Sequence, residues 1–198
     1  MRGRFIVLEG LDGVGKTTLA HAIAERISAV YMREPGGSAV SEQIRNVLKS
    51  KEAGVEDNPA AELMLAWAAR LYNVPRIIEM LDDGVDVVCD RWVISTVLYQ
   101  GQSESLIDDI LTLHDKLKED IFPDYTIILE TKNKATPDQM VARGAYDHLD
   151  ERGARLSETV DWKDPFWAEF AENTLYIERD DLTEDVMGIV DAFINPNS

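Results

Sequence analysis

The fold can be read from Phe5-Ile6-Val7-Leu8-Glu9-Gly10-Leu11-Asp12-Gly13-Val14-Gly15-Lys16-Thr17-Thr18. Phe5–Leu8 is a short apolar run, and glycines follow it at Gly10, Gly13 and Gly15. Beyond Lys16 the apolar positions fall at Leu19, Ile23 and Ile27, along one side of a helix. A strand period gives way to a helix period across a glycine loop. Within it Gly10–Thr17 fits GxxxxGK(S/T), the pattern whose backbone N–H groups curl around phosphate oxygens at a helix N-terminus. Gly10, Leu11, Asp12, Gly13, Val14, Gly15, Lys16, Thr17 and Thr18 are therefore candidate phosphate-binding residues. Lys16 would reach the β/γ-phosphates of a nucleoside triphosphate, and the Thr17 hydroxyl would face Mg²⁺. The motif leaves the phosphate acceptor open, because ATPases, GTPases and small-molecule kinases share it.

Four more apolar runs follow, at Ala29–Met32, Val85–Cys89, Tyr125–Leu129 and Leu175–Ile177. Helical patterns separate them, around Ser41–Lys49, Ala60–Leu81, Ser105–Lys118 and Thr183–Phe193. Strands alternating with helices predict an α/β fold: a five-stranded parallel sheet covered on both faces by right-handed crossovers. Pro75, inside the longest pattern, should kink that helix or split it. Residues 136–163 are polar and charge-rich, with Gly144 and Gly153, and read as a small mobile lid inserted in a single domain.

The 198 residues carry 37 acidic and 20 basic side chains, a formal net charge of −17. Such a surface opposes broad binding to nucleic acid, so an anionic ligand needs a local site that overrides the global field. With 45% hydrophobic residues the chain can still build a sizeable core. A single cysteine, Cys89, excludes an internal disulfide framework and fits a reducing compartment. Glu9 and Asp12 interrupt the opening apolar run too early for a signal peptide. No apolar stretch approaches the roughly 18–20 residues that span a bilayer, so a cytoplasmic protein is expected. His21, His114 and His148 lack metal-ligand spacing.

Asp90-Arg91 follows the run Val85–Cys89 and so falls at the carboxyl end of a strand, where open α/β sheets bind ligands. An arginine there offers a planar fork to a phosphate, or closes a surface Asp–Arg pair. Glu34-Pro35-Gly36-Gly37 reads equally as a ligand loop or a plain turn.

These segments, with Arg33 before them and Ser38, Glu42 and Ile44-Arg45 after, resemble the thymidylate kinase family. So do Glu62-Leu63-Met64-Leu65 with Arg70, Asp90-Arg91-Trp92 with Ser95-Thr96 and Tyr99-Gln100-Gly101, and Pro123–Leu129. Order and spacing match from Phe5 to about Glu130. The resemblance implies transfer of a phosphoryl group from ATP to dTMP, with Mg²⁺, in a homodimer. It implies that Arg91 holds the acceptor phosphate, that Asp90 lies near the magnesium, and that Asp12 receives the sugar 3′-hydroxyl. Glu34, Pro35, Ser95 and Gln100 belong by the same resemblance to the acceptor site, with Arg70 and Thr96 reading the base and Tyr99 excluding a 2′-hydroxyl.

Two departures stand out. Ala66 occupies the position, four residues before Arg70, where the family stacks an aromatic on thymine; Trp67 comes one residue later, about 100° round a helix. Trp67 would reach the base by a shifted helix, or serve as core. Leu98 replaces a usual alanine. Gly13 stands where one branch of the family has an arginine, which implies the bacterial-type branch, with lid arginines instead. Arg143, Arg152 and Arg155 are the candidates, Arg152 by its match to the lid's Leu-Asp-Arg with one residue inserted, and Arg143 and Arg152 are taken as catalytic. The competing readings are a deoxynucleoside monophosphate kinase with altered base preference (dUMP or a 5-modified dUMP) and a non-catalytic nucleotide-binding protein.

Overall fold

The computed structural model describes residues 1–131, 147–156, 158–178 and 184–195. Five strands form one parallel sheet: β1 (Phe5–Glu9), β2 (Val30–Arg33), β3 (Val87–Asp90), β4 (Tyr125–Glu130) and β5 (Thr174–Glu178), in the order β2-β3-β1-β4-β5. The chain leaves β1 toward β2 and β3 on one side, then crosses to β4 and β5 on the other. Parallel neighbours require crossovers, which the helices between the strands supply, and the reversal of strand order opens a crevice at the carboxyl end of β1.

All residues of β1 and β3 are buried, as expected of inner strands covered on both faces, whereas the edges β2 and β5 carry exposed residues. Leu8 pairs with Asp90 and Asp90 with Arg33, so the segments that follow these three strands rise side by side. That register places the residues after Glu9, Arg33 and Asp90 around one crevice.

The helices are α1 (Lys16–Ile27), α2 (Ala39–Lys49), α3 (Pro59–Asp82), α4 (Val93–Gln100), α5 (Glu104–Leu117), α6 (His148–Leu156) and α7 (Glu184–Ile194). Local sequence sets their starts: the side chains of Ser38, Asn58 and Ser103 accept the N–H groups of Ser41, Ala61 and Leu106. Pro59 opens α3, where its missing N–H costs nothing.

Pro75 neither splits nor ends α3, which runs unbroken from Pro59 to Asp82. The carbonyl that loses its partner is that of Leu71, on a solvent-exposed turn where water can replace the bond. Helix α4 has no counterpart among the expected helices. All eight of its residues are buried, so no polar face marks a period. The expected insert at 136–163 contains α6 in its described part; Arg143 and Gly144 lie outside the described residues, as does Thr183 at the start of the expected last helix. No described helix is long and apolar enough to cross a membrane.

Candidate active site

Gly10 follows β1 at φ +140°, and a side chain there would collide with the Leu129 carbonyl of β4, so this position needs glycine. The loop it begins delivers Lys16 and Thr17 to the start of α1. Leu11 and Val14 pack into the core, while Asp12, Gly13, Gly15, Lys16, Thr17 and Thr18 line a cavity of about 710 Å³. Tyr31, Arg33, Glu34, Arg45, Asp90 and Arg91 form its other walls.

Lys16 is buried, and its ammonium donates to the Leu11 carbonyl at 2.5 Å. Burial, helped by the Arg91 charge, pushes its pKa down to about 8 against the pull of Asp12, Asp90 and Glu9. Thr17 Oγ1 donates to Asp90 Oδ2 at 2.5 Å. The other carboxylate oxygen, Asp90 Oδ1, is buried without a hydrogen-bond partner among the described residues. A hydroxyl and an under-coordinated carboxylate, both oxygen donors beside a phosphate cradle, fit a hard divalent cation.

A second cavity of about 660 Å³ adjoins the first. Asp12, Glu34, Arg45 and Arg91 line both, so the two cavities share a wall. Arg91 has φ 77°, a conformation that costs a non-glycine residue about 1–3 kcal/mol. The surroundings hold it there: its N–H donates to the Leu8 carbonyl, its carbonyl accepts from Cys89 Sγ, and the next N–H, of Trp92, donates to Glu9 Oε1. Its guanidinium donates to Asp12 Oδ1 (2.5 Å), Ser95 Oγ (2.9 Å) and the Gly10 carbonyl (3.2 Å), and lies 5.0 Å from the Tyr99 ring centre.

Two carboxylates frame this arginine. Burial alone would raise the Asp12 pKa, but the Arg91 and Lys16 charges and the Tyr99 hydroxyl at 2.5 Å hold it well below the usual carboxylate range. Glu9, fully buried below, is pushed up by desolvation and accepts from Ser95 Oγ, Ser95 N and Trp92 N. Burial also opposes the Arg91 charge, yet Asp12, Tyr99, Asp90 and Glu9 keep its pKa above the ordinary arginine value.

Deeper in the second cavity, Arg70 Nε donates to Glu34 Oε2 at 2.7 Å and Nη1 to Thr96 Oγ1 at 3.0 Å. Pro35, Ala66, Ser95, Thr96, Tyr99 and Gln100 line the same space, and Gln100 donates to Glu62 at 2.8 Å. Trp67 does not line it. The ring is buried in the core with Arg70 above it, because one residue of helical offset turns it from the cavity wall that Ala66 provides. The expectation that Trp67 contacts a ligand is corrected accordingly.

Arg152 requires a second correction. Its guanidinium donates to both Glu62 oxygens (2.6 and 3.2 Å) and to the Tyr99 carbonyl, and lines neither cavity. Glu62 is fully buried, so the arginine supplies its counter-charge. Helix α6 thereby closes over the second cavity with Asp147, Leu149 and Asp150 on its wall, and Lys51–Glu151 (3.0 Å) adds an outer tie. A Cβ on Gly153 would lie 2.8 Å from Tyr99 Oη and 3.1 Å from Asp12 Oδ2, so glycine permits this approach.

Several lining residues were outside the expected site: Arg45, Leu48 and Lys49 of α2, Asp147, Leu149 and Asp150, and Glu9 beneath. Arg45 carried a signal. It shares the inner face of α2 with the buried Ser41 and Leu48, at helical spacing, where an arginine is out of place unless it meets a ligand.

The sequence profile of the thymidylate kinase family matches residues 8–186. The chain is 34% identical to a thymidylate kinase of Glaesserella parasuis, over 76% of each chain. It is 37% identical to one of Pseudomonas fluorescens over 81% of this chain and 79% of the other, and 30% identical to one of Oceanobacillus iheyensis over 98% and 92%. Among solved structures, a thymidylate kinase from Ehrlichia chaffeensis superposes with a TM-score of 0.66 at 27% identity, covering 96% of this chain and all of that one.

Proposed function

The chain belongs to the thymidylate kinase family, and from that premise we propose that it transfers the γ-phosphoryl group of ATP to dTMP, giving dTDP for DNA synthesis. The observation that carries the assignment to these residues is the shared wall: two cavities meet at Arg91, with Lys16 in the first.

ATP occupies the first cavity, its phosphates curled into the Gly10–Thr18 loop and met by Lys16. The residues that would hold Mg²⁺ are Thr17 and Asp90, and the ion, when bound, would offset charge on the ATP phosphates. dTMP occupies the second cavity with its phosphate on Arg91. Asp12 and Tyr99 meet the sugar, Arg70 and Thr96 read the base edge, and Glu34, Pro35, Ser95 and Gln100 complete the wall. The substrate's own phosphate oxygen attacks, so the protein contributes position and charge rather than a nucleophile. Residues 136–163 act as the lid that keeps water out. Its described helix α6 closes the dTMP side; with Arg152 on Glu62, Arg143 and the exposed Arg155, which lines neither cavity, are the remaining candidates to reach the transferring group.

Exposed Val40 and Val47 of α2, with Met64, Leu71 and Tyr72 of α3, give two adjacent helices an apolar outer stripe. That stripe supports a homodimer through these helices. Leu71→Glu should yield a monomer in sedimentation velocity. The enzyme works in the cytoplasm, with ATP and deoxynucleotides.

Coupled ADP release tests the activity directly: turnover should require dTMP, Mg²⁺ and ATP together. ADP release that ignores the acceptor, or none with any deoxynucleoside monophosphate, overturns the proposal. Ala66, leaving one face of the base without an aromatic, favours a second reading in which dUMP is also accepted, and the same assay decides it.

A further inference from the structure

Arg70 is 3% exposed, yet its Nη2 amine has no hydrogen-bond acceptor among the described residues while the side chain lines the second cavity. Its Nε and Nη1 are anchored by Glu34 and Thr96. Its guanidinium carbon lies 4.9 Å from the Trp67 ring centre and 4.8 Å from that of Trp92. Both rings are buried, and Trp92 meets Phe5 edge-on at 5.0 Å, which fixes its own orientation. Two anchors and two π-faces therefore fix the guanidinium that carries the free donor, on a side chain that lines the cavity.

We propose that Trp67 is a positioning residue for base selection: with Trp92 it locks the Arg70 guanidinium so that Nη2 presents a donor to a pyrimidine ring carbonyl. The inference rests on the reading of the second cavity as the dTMP site. It gives Ala66 and the tryptophan that follows it one physical account. The wall lacks an aromatic to stack on the base, and the ring one residue later instead rigidifies the arginine beside it. Affinity lost from stacking is offset by preorganisation, because a guanidinium already held in place loses little freedom when it donates. Selectivity then rests on hydrogen bonding, which favours an oxo group over an amino group at the same ring position, since an amine facing a fixed donor leaves both groups unpaired.

The test compares Trp67→Phe, which keeps a π-face, with Trp67→Leu, which keeps apolar bulk without one. KM and kcat are measured for ATP, dTMP and dCMP, with thermal unfolding alongside. Trp67→Leu should raise KM for dTMP about tenfold and shrink the dTMP-over-dCMP preference by a similar factor, leaving KM for ATP within about twofold. Trp67→Phe should restore most of both. An unchanged dTMP-over-dCMP ratio in Trp67→Leu overturns the proposal, as does a parallel rise of both KM values with the loss of stability. Arg70→Met separates the two levels. If it leaves KM for dTMP unchanged, Arg70 does not face the base and the site reading fails; if it raises KM while Trp67→Leu does not, only the positioning role fails.

Discussion

Asp12 and Arg91 are joined by a 2.5 Å ion pair that spans the boundary between the two cavities. The pair is partly buried and shared with Tyr99 and Ser95, so the guanidinium is held in place before any ligand arrives. A lysine can match the charge but not the planar fork. Arg91→Lys should lower kcat about a hundredfold while the protein remains folded, as steady-state rates and circular dichroism will report.

Lys16 sets a pH dependence. Its pKa is depressed to about 8, chiefly by burial, so the ammonium is present below that pH and lost above it. ATP affinity should therefore fall as pH rises past about 8, and binding near that pH should take up a proton. Calorimetric titrations in buffers of different ionisation enthalpy measure that uptake directly. Affinity that is flat from neutral pH into the alkaline range, with no proton exchange, would contradict the role given to this lysine.

Asp90 should govern the metal requirement. Asp90→Asn removes charge from the carboxylate that Thr17 touches and should raise the Mg²⁺ concentration for half-maximal rate about tenfold. A metal titration at saturating nucleotides checks it; an unaltered curve would place the ion elsewhere.

Removing Arg152 should leave the buried Glu62 charge without its counter-ion. Arg152→Met is expected to cost about 3 kcal/mol of stability, and adding Glu62→Gln should recover most of that loss. Urea unfolding of the single and double variants gives the coupling directly. Additive losses would mean that the pair does not act as a unit.

Gly153→Ala should push α6 off Tyr99 and Asp12. A shift of a few tenths of an ångström corresponds to about 1 kcal/mol, or roughly a fivefold higher KM for dTMP. Kinetics with ATP held saturating isolates the acceptor side.

Much of the fold was legible because strand and helix periods alternate in the chain, and the glycine loop sits at their first boundary. Helix α4 was not, since a helix buried on every side has no polar face to betray its turn. Lys16, Asp90 and Arg91 could be located because their positions follow from strand ends and a helix start. Glu9 could not, as a glutamate closing an apolar run looks solvent-facing until Ser95 and Trp92 fold over it. Trp67 shows the limit of spacing: one residue of offset on a helix moved an indole from a cavity wall into the core. Arg152 shows another, since local resemblance could not reveal a buried glutamate ninety positions away.

The wall common to the two cavities makes their occupants thermodynamically answerable to each other. An anion drawing Arg91 away from Asp12 changes the field felt by Lys16, and an anion on Lys16 changes in turn what Arg91 is offered. By reciprocity each nucleotide must alter the other's dissociation constant by the same factor, so an inhibitor bridging both chambers inherits that coupling along with the contacts of its two halves.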